Sequence, residues 1–557
     1  MRGRVDYPRL PWLGLALLAG LGVVATRVVL LSARPPSSAR AASWEPSTEV
    51  LPQRGSFWDR RGRLIATASY DRYEVILEKD KLPDPASFLA AAAPYLGARA
   101  DFARLQLDNP AVQWVTLFTY AMPADAEAVK ALAPDGAIVV RPLPSRHYAL
   151  GEAAGHLTGF VDADGHGEYG LEAQYQEILT GALGHTPGPF GTDPRAYVPP
   201  RDGADLVLTI DRDIQMATWR ILADHIGKQD ATGGTVIVLE PSTGDILASV
   251  SYPGYDPNNF GAADVNRYID PAIGAYYPPG SVLKPISLAA AIDGGVLSPD
   301  STYDDTGTVF VHGVTIPNQD YVAHGPSTMW QMLQLSLNVG AVHVADTLGS
   351  TAFYRGLDAF GLGHATGIDE AGEAPGSIVQ PGADGWVASN FAYNAFGQGM
   401  DVTPMQMAAA IATLANDGRR MTPRLVRQVR PDGADPQDLP PRTAGQIVSA
   451  ATARTLRTMM ESVVESTAKA AELSRYTSGG KTGTSELPDS DGDGEKDLIA
   501  SFCGFFPVSQ PRAVILVKLD RPTGELGSRV AAPIFAEVAE VVADALGVRA
   551  DKAGANQ

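Results

Sequence analysis

Three short segments of this 557-residue chain hold residue types able to carry out nucleophilic chemistry. The first is Pro279-Gly-Ser281-Val-Leu-Lys284, followed by the apolar Pro285-Ile-Ser-Leu-Ala-Ala-Ala-Ile292. A helix beginning at Ser281 puts Ser281 and Lys284 on one face, one turn apart. A serine hydroxyl is a weak nucleophile until a base removes its proton. Lysine serves as that base only when burial and neighbouring cations pull its pKa down from ~10.4. A helix N-terminus at Ser281 also aims a backbone N–H at a developing oxyanion. The second segment is Ser336-Leu-Asn338, followed by Val339-Gly-Ala-Val-His-Val344. The third is Gly479-Gly-Lys481-Thr-Gly-Thr484, some way before an apolar strand pattern. There Lys481 offers a positive charge, Thr482 a hydroxyl donor, and Gly483 room for a substrate backbone at a strand edge. Each segment alone has a bland reading: an N-cap serine with an exposed lysine, a helical fragment, and a glycine-rich turn.

In this order the segments read S-x-x-K, S-x-N and K-T-G, the active-site set of penicillin-recognising serine enzymes. The sequence resembles a class B penicillin-binding protein over nearly its whole length. Arg54-Gly-Ser-Phe-Trp-Asp59-Arg-Arg-Gly62 resembles the family's R-G-x-I-x-D-R-N-G, with Arg61 where Asn is usual. Gly167-Glu-Tyr-Gly170-Leu-Glu172 resembles G-x-x-G-L-E of the pedestal domain. Tyr277-Pro-Pro-Gly-Ser281 resembles the nucleophile turn, and Gly397-Gln-Gly399 with Val402-Thr-Pro404 a segment beside the site.

The resemblance implies a mechanism. Ser281 attacks the penultimate D-Ala carbonyl of a peptidoglycan stem pentapeptide, with Lys284 as general base. Ser336 relays a proton, and Asn338 holds the substrate amide and helps fix Lys284. Lys481 and Thr482 bind the terminal carboxylate, while backbone N–H groups of Ser281 and Thr484 form the oxyanion hole. A neighbouring stem peptide's amine then deacylates the enzyme, and β-lactams acylate Ser281. No cofactor is required for acyl transfer of this kind.

Ser336-Leu-Asn-Val-Gly340-Ala-Val and Phe360-Gly-Leu-Gly363…Thr366-Gly-Ile-Asp369 look more like the cell-division type than the elongation type. That type implies a multi-span glycan polymerase and other divisome proteins as partners. A D,D-carboxypeptidase or β-lactamase of the same fold is one rival. A β-lactam sensor or division scaffold with a vestigial site is the other, and the intact motif residues argue against it.

These residues need a scaffold, and the remaining sequence supplies one. From Asp205 a strand (Leu206–Ile210) precedes a helical run opened by Asp211. Thr235–Leu239 and Asp245–Val250 form a hairpin through Glu240-Pro-Ser-Thr-Gly244. A helix-rich stretch runs from Ser281 to about Leu414. Strands return at Ser501–Phe506 and Arg512–Lys518, and a last helix covers Ala532–Leu546. Strands at both ends with helices between predict one sheet flanked by helices. The expected fold class is α+β, with a penicillin-binding, β-lactamase-like domain at 205–547 behind a pedestal or dimerisation-type domain at 51–204. Residues 548–557 read as a disordered tail.

Further upstream, an apolar run from Leu10 to Leu31, broken only by Thr26 and Arg27, is about 22 residues, enough to cross ~30 Å of hydrocarbon. Arg2, Arg4 and Arg9 precede it against Asp6 alone, which keeps residues 1–9 in the cytoplasm. The expectation is a single-pass anchor at 10–32 in a bacterial cell membrane, a linker at 33–50, and an extracytoplasmic catalytic domain. The 44 basic and 63 acidic side chains give net charge −19. That argues against a nucleic-acid partner, which needs clustered cations. The single Cys503 excludes an intrachain disulfide and reads as a buried core thiol.

One segment falls outside the family pattern. Asp489-Ser-Asp491-Gly-Asp493-Gly-Glu-Lys-Asp497 places carboxylates at positions one, three, five and nine, like the first part of a calcium loop. An EF-hand fails because position twelve is Ala500. Shorter D-x-D-x-D-G-x-x-D loops remain, against an acidic solvated hairpin. The calcium reading predicts titratable heat in calorimetry with millimolar calcium, and a flat titration leaves the hairpin.

Overall fold

The computed structural model describes residues 49–185, 198–489, 496–523 and 527–552. The expected anchor at 10–32, the segment before it and nearly all of the linker lie outside the described residues. Among the described residues, no helix is long and apolar enough to cross a membrane.

The catalytic motifs are organised by one five-stranded antiparallel sheet. Its strands are β1 (Gly233–Glu240), β2 (Asp245–Tyr252), β3 (Gly479–Leu487), β4 (Asp497–Phe506) and β5 (Ala513–Asp520), in the order β2-β1-β5-β4-β3. The first two are the hairpin expected from its Pro-Gly turn. Strand β3 contains the K-T-G motif itself and forms an edge of the sheet. The sequence reading placed Gly483 at a strand edge, with a glycine-rich turn as the bland alternative, because three glycines weaken the β signal. Nearly every residue of β1, β2, β4 and β5 is buried, which fits a sheet covered on both faces.

The helices beside it are α1 (Arg212–Gln229), α2 (Lys284–Asp293), α3 (Asn338–Leu348), α4 (Pro404–Ala415), α5 (Ala450–Ser466) and α6 (Gly527–Leu546); α1, α4, α5 and α6 pack on its strands, and α2 packs on α3 and α5. Strand alternation separates the two sides. On one side Phe502 of β4 packs on Phe535 of α6, with ring centroids 4.8 Å apart. On the other, Gly483 of β3 faces Val282, one turn before α2. Asp211 caps α1 by accepting from the Asp213 N–H at 3.0 Å. Thr403 and Gln406 form a capping box on α4. Cys503 lies fully buried in β4, and burial pushes its thiol pKa up.

The helix-rich stretch differs from expectation. Four short strands, Thr302–Asp305, Val314–Pro317, Thr308–Val311 and Gly325–Thr328, interrupt it as two antiparallel ribbons. Four residues of alternation are too few to register as a period in sequence.

A second, mixed sheet carries Gln437–Asp438, Val426–Arg430, Asp205–Leu208, Phe57–Trp58, Leu64–Glu78 and Trp114–Ala121 in that order, with Ile138–Tyr148 also paired to Leu64–Glu78. Residues from Val75 to Ile138 build a small core of their own. The two N-terminal motifs act as buried electrostatic locks in this region. Asp59 accepts the Arg61 and Arg63 N–H groups, each at 2.8 Å, and the Arg63 guanidinium at 2.8 Å. Burial raises its carboxyl pKa, and these hydrogen bonds outweigh that and leave it below the usual range. Arg61 itself reaches the α1 cap, with Nε 2.8 Å from Asp211. Glu172, with no exposed side-chain surface, takes Arg54 at 2.6 Å and Arg146 at 2.7 Å.

Removing the carboxylate between two sunken guanidiniums leaves their charge uncompensated. Glu172→Ala is expected to lower unfolding free energy by about 3–5 kcal/mol. A denaturant titration checks this, and a loss under about 1 kcal/mol would mean that the pairs behave like surface ones.

Candidate active site

Ser281 sits in a single 3₁₀ turn, Gly280–Leu283, that runs directly into α2. In a 3₁₀ turn residues three apart eclipse one another, so Ser281 and Lys284 stack more directly than an α-helical start would place them. The turn is gripped from two directions. Gly280 donates its N–H to the Gly397 carbonyl at 2.9 Å. Gly397 approaches so closely that an added Cβ would lie 2.2 Å from the Gly280 oxygen. Tyr277 and Val402 exchange two backbone bonds of 3.0 Å. From β3, the Ser485 hydroxyl donates to the Pro278 carbonyl at 2.7 Å. A Cβ on Gly483 would meet Ser501 Oγ at 2.4 Å and Pro279 O at 3.0 Å. The glycine of the K-T-G motif therefore lets the edge strand close on the nucleophile turn.

Lys284 is almost wholly buried and its amine is surrounded by oxygen acceptors. Nζ donates to the Ser336 carbonyl at 2.5 Å and to Asn338 Oδ1 at 2.8 Å. The Ser336 hydroxyl lies 3.4 Å away. Asn338 is held in turn, its Nδ2 donating to the Pro317 carbonyl at 2.9 Å. That carbonyl belongs to the Val314–Pro317 strand, which sequence reasoning did not see. Ser336 holds a left-handed backbone with φ +58°, an uncommon conformation for a residue with a side chain.

Lys481 is fully buried and reaches the same hydroxyl. Its Nζ donates to Ser336 Oγ at 2.9 Å, and lies 3.2 Å and 3.3 Å from the Thr482 carbonyl and hydroxyl oxygens. Two amines thus flank one serine oxygen. Burial, and then the charge of Lys481, pull the Lys284 pKa far below its ordinary value. Burial lowers Lys481 to about 7. Lys284 is consequently the amine of the pair that loses its proton more readily, as a general base must.

The structure brings Ser281, Lys284, Ser336, Asn338, Lys481, Thr482, Gly483 and Thr484 into one locus formed by the turn, the segment leading into α3, and the β3 edge. Thr484 accepts the Gly527 N–H at 3.3 Å, anchoring this edge to the start of α6. The sequence reading missed Ser485 and Pro317. Ser485 shares a face with Lys481 and Gly483 by alternation along β3, and that was its one available signal. Of the proposed calcium ligands, Asp491 and Asp493 lie outside the described residues. Asp489 precedes them, and buried Asp497 lies 3.0 Å from Arg521.

A serine beside a neutral lysine, with a second amine across a shared hydroxyl and an open strand edge, defines an active-serine acyl-transfer centre. The profile described as the penicillin-binding protein transpeptidase domain matches residues 234–540. The chain is 31% identical to stage V sporulation protein D of Bacillus subtilis, covering 92% of this chain and 81% of that one. It is 28% identical to the probable peptidoglycan D,D-transpeptidase PenA of Neisseria meningitidis, covering 91% and 87%. Penicillin-binding protein 3 of Mycobacterium tuberculosis complexed with aztreonam superposes with a TM-score of 0.69 at 26% identity, over 90% of this chain and 98% of that one. The chain belongs to the penicillin-binding protein transpeptidase family, as a class B member.

The two amines set the pH dependence. Lys284 must be unprotonated, so acylation falls at acid pH as it gains a proton. Lys481 must be charged to attract a carboxylate, so the rate falls again as pH rises through about 7. Stopped-flow acylation by a carboxylate-bearing β-lactam should give this bell. Lys481→Arg, which stays charged, should move the alkaline limb upward and leave the acid limb in place.

Proposed function

We propose that this protein is a peptidoglycan D,D-transpeptidase that crosslinks stem peptides through an acyl-enzyme on Ser281. The observation that carries the reading is the hydrogen-bond network of Lys284, Ser336, Asn338 and Lys481, with Ser281 three residues before Lys284 in the turn that leads into it. Lys284 takes the Ser281 proton as the hydroxyl attacks the penultimate D-Ala carbonyl. Ser336, within reach of both amines, passes a proton to the departing D-Ala amine. Lys481 and Thr482 hold its carboxylate, and the Ser281 and Thr484 N–H groups receive the oxyanion. An amine of a second stem peptide reverses the sequence and leaves a crosslink. A β-lactam enters the same path and remains on Ser281.

The role is septal, with a multi-span glycan polymerase and other division proteins as partners. This is supported by the spelling of Ser336–Val342 and Phe360–Asp369. The apolar run at 10–32 anchors the chain in the cell membrane with residues 51–204 and 205–547 outside as pedestal and catalytic domain. The length of that run and its flanking arginines support this reading.

Fluorescent penicillin should label the protein covalently, and Ser281→Ala should remove the label completely. Incubation with a stem pentapeptide and free D-amino acids should give exchanged peptide. Tetrapeptide alone would reassign the enzyme to hydrolysis.

A further inference from the structure

We propose that Glu486 and Lys496 form a subsite for the third residue of the stem peptide, one that takes a side chain ending in both an ammonium and a carboxylate. The inference rests on the transpeptidase reading above and deepens it.

The argument starts from the register of β3. That strand pairs only with β4, leaving its other edge open among the described residues. An extended peptide adds to such an edge as a further strand. With its terminal carboxylate at Thr482 and its scissile carbonyl at the Thr484 N–H, the peptide runs antiparallel to β3. Its preceding residue then lies alongside Ser485 and Glu486. Side chains two apart on a strand share a face, so Glu486 extends the row begun by Thr482 and Thr484.

Glu486 is the first charged residue in that row, and it is not alone. Lys496, at the foot of β4, forms an ion pair with it. Both are open to solvent, with 59% and 67% of their side-chain surfaces exposed. The pair is thus available to a ligand at little desolvation cost. Two phenols, of Tyr321 and Tyr393, lie near enough for their electrostatics to act on Lys496. Tyr321 is 76% exposed and follows closely on Pro317 and Asn318, which hold Asn338 and the start of α3. Lys496 therefore lies within electrostatic reach of the segment that holds Asn338.

The chemistry of the pair selects its ligand. A carboxylate beside an ammonium complements a zwitterion of reversed polarity, as at the end of a diaminodicarboxylic acid. Glu486 would take its ammonium and Lys496 its carboxylate. A side chain ending in a bare amine, such as lysine, satisfies Glu486 alone and leaves Lys496 unused.

The test compares the full chain with E486Q and K496M. The probes are stem pentapeptides with meso-diaminopimelate or L-lysine at position three, read as kcat/KM for release of terminal D-Ala. The wild type should favour the diaminopimelate peptide about fivefold, the worth of one partly exposed charge pair. K496M should remove that preference by slowing only the diaminopimelate peptide, and E486Q should slow both. All three proteins should react with benzylpenicillin, which carries no charged side chain, at equal rates. Equal use of both peptides by the wild type, or equal slowing of both by K496M, would overturn the subsite while leaving transpeptidation intact. Failure of the wild type to react with benzylpenicillin would bring down the catalytic reading and the subsite together.

Discussion

Two positive charges cannot share one small buried volume, and the site is organised around that constraint. Lys284 and Lys481 approach the Ser336 hydroxyl at 3.4 Å and 2.9 Å. Both are withdrawn from water, and the charge of one disfavours charge on the other. The outcome is a division of labour. Lys284 is pushed far toward its neutral form, while burial brings Lys481 down to about 7. Each amine is satisfied by oxygen acceptors, which is the condition for burying it at all.

Holding that arrangement requires three distant stretches of chain to stay within fractions of an ångström. Small residues and main-chain bonds do most of this. Gly280 and Gly397 allow one loop to press on the nucleophile turn, and Gly483 allows the edge strand to press from the other side. Ser485 and Gly397 then fasten the turn through backbone carbonyl and amide groups. Farther away, Arg61 ties the N-terminal motif to the cap of α1, whose strand partner is β2 of the catalytic sheet. The substitution of Arg for Asn at that motif position therefore adds an ion pair within the scaffold.

Much of this was legible before any coordinates. The Ser281–Lys284 spacing, the hairpin turn at 240–244 and the Asp211 cap are local signals, and local signals survive in sequence. The strand character of Gly479–Leu487 was legible only in part: Gly483 was read at a strand edge, but the glycines suit a turn equally well until the neighbours that need them are known. A Cβ on Gly480 would lie 2.3 Å from the Phe502 ring, a contact between residues 22 positions apart. The 15-residue strand Leu64–Glu78 has no clean sequence period, since the ladder is irregular between Ser69 and Arg72 and polar residues interrupt the alternation there. The left-handed backbone of Ser336 had no sequence signature. Nothing in Ser-Leu-Asn announces a positive φ.

The hold on Asn338 has a consequence for how such a site evolves. Its acceptor is the peptide oxygen of Pro317, and a peptide oxygen is present whatever residue the codon specifies. No single base change can erase that tether in the way one can erase a side-chain partner. Variants that keep Asn338 but loosen it must instead shift the path of the Val314–Pro317 ribbon. Selection acting here is therefore written in the ribbon's geometry, and an inventory confined to the three signature motifs would overlook it.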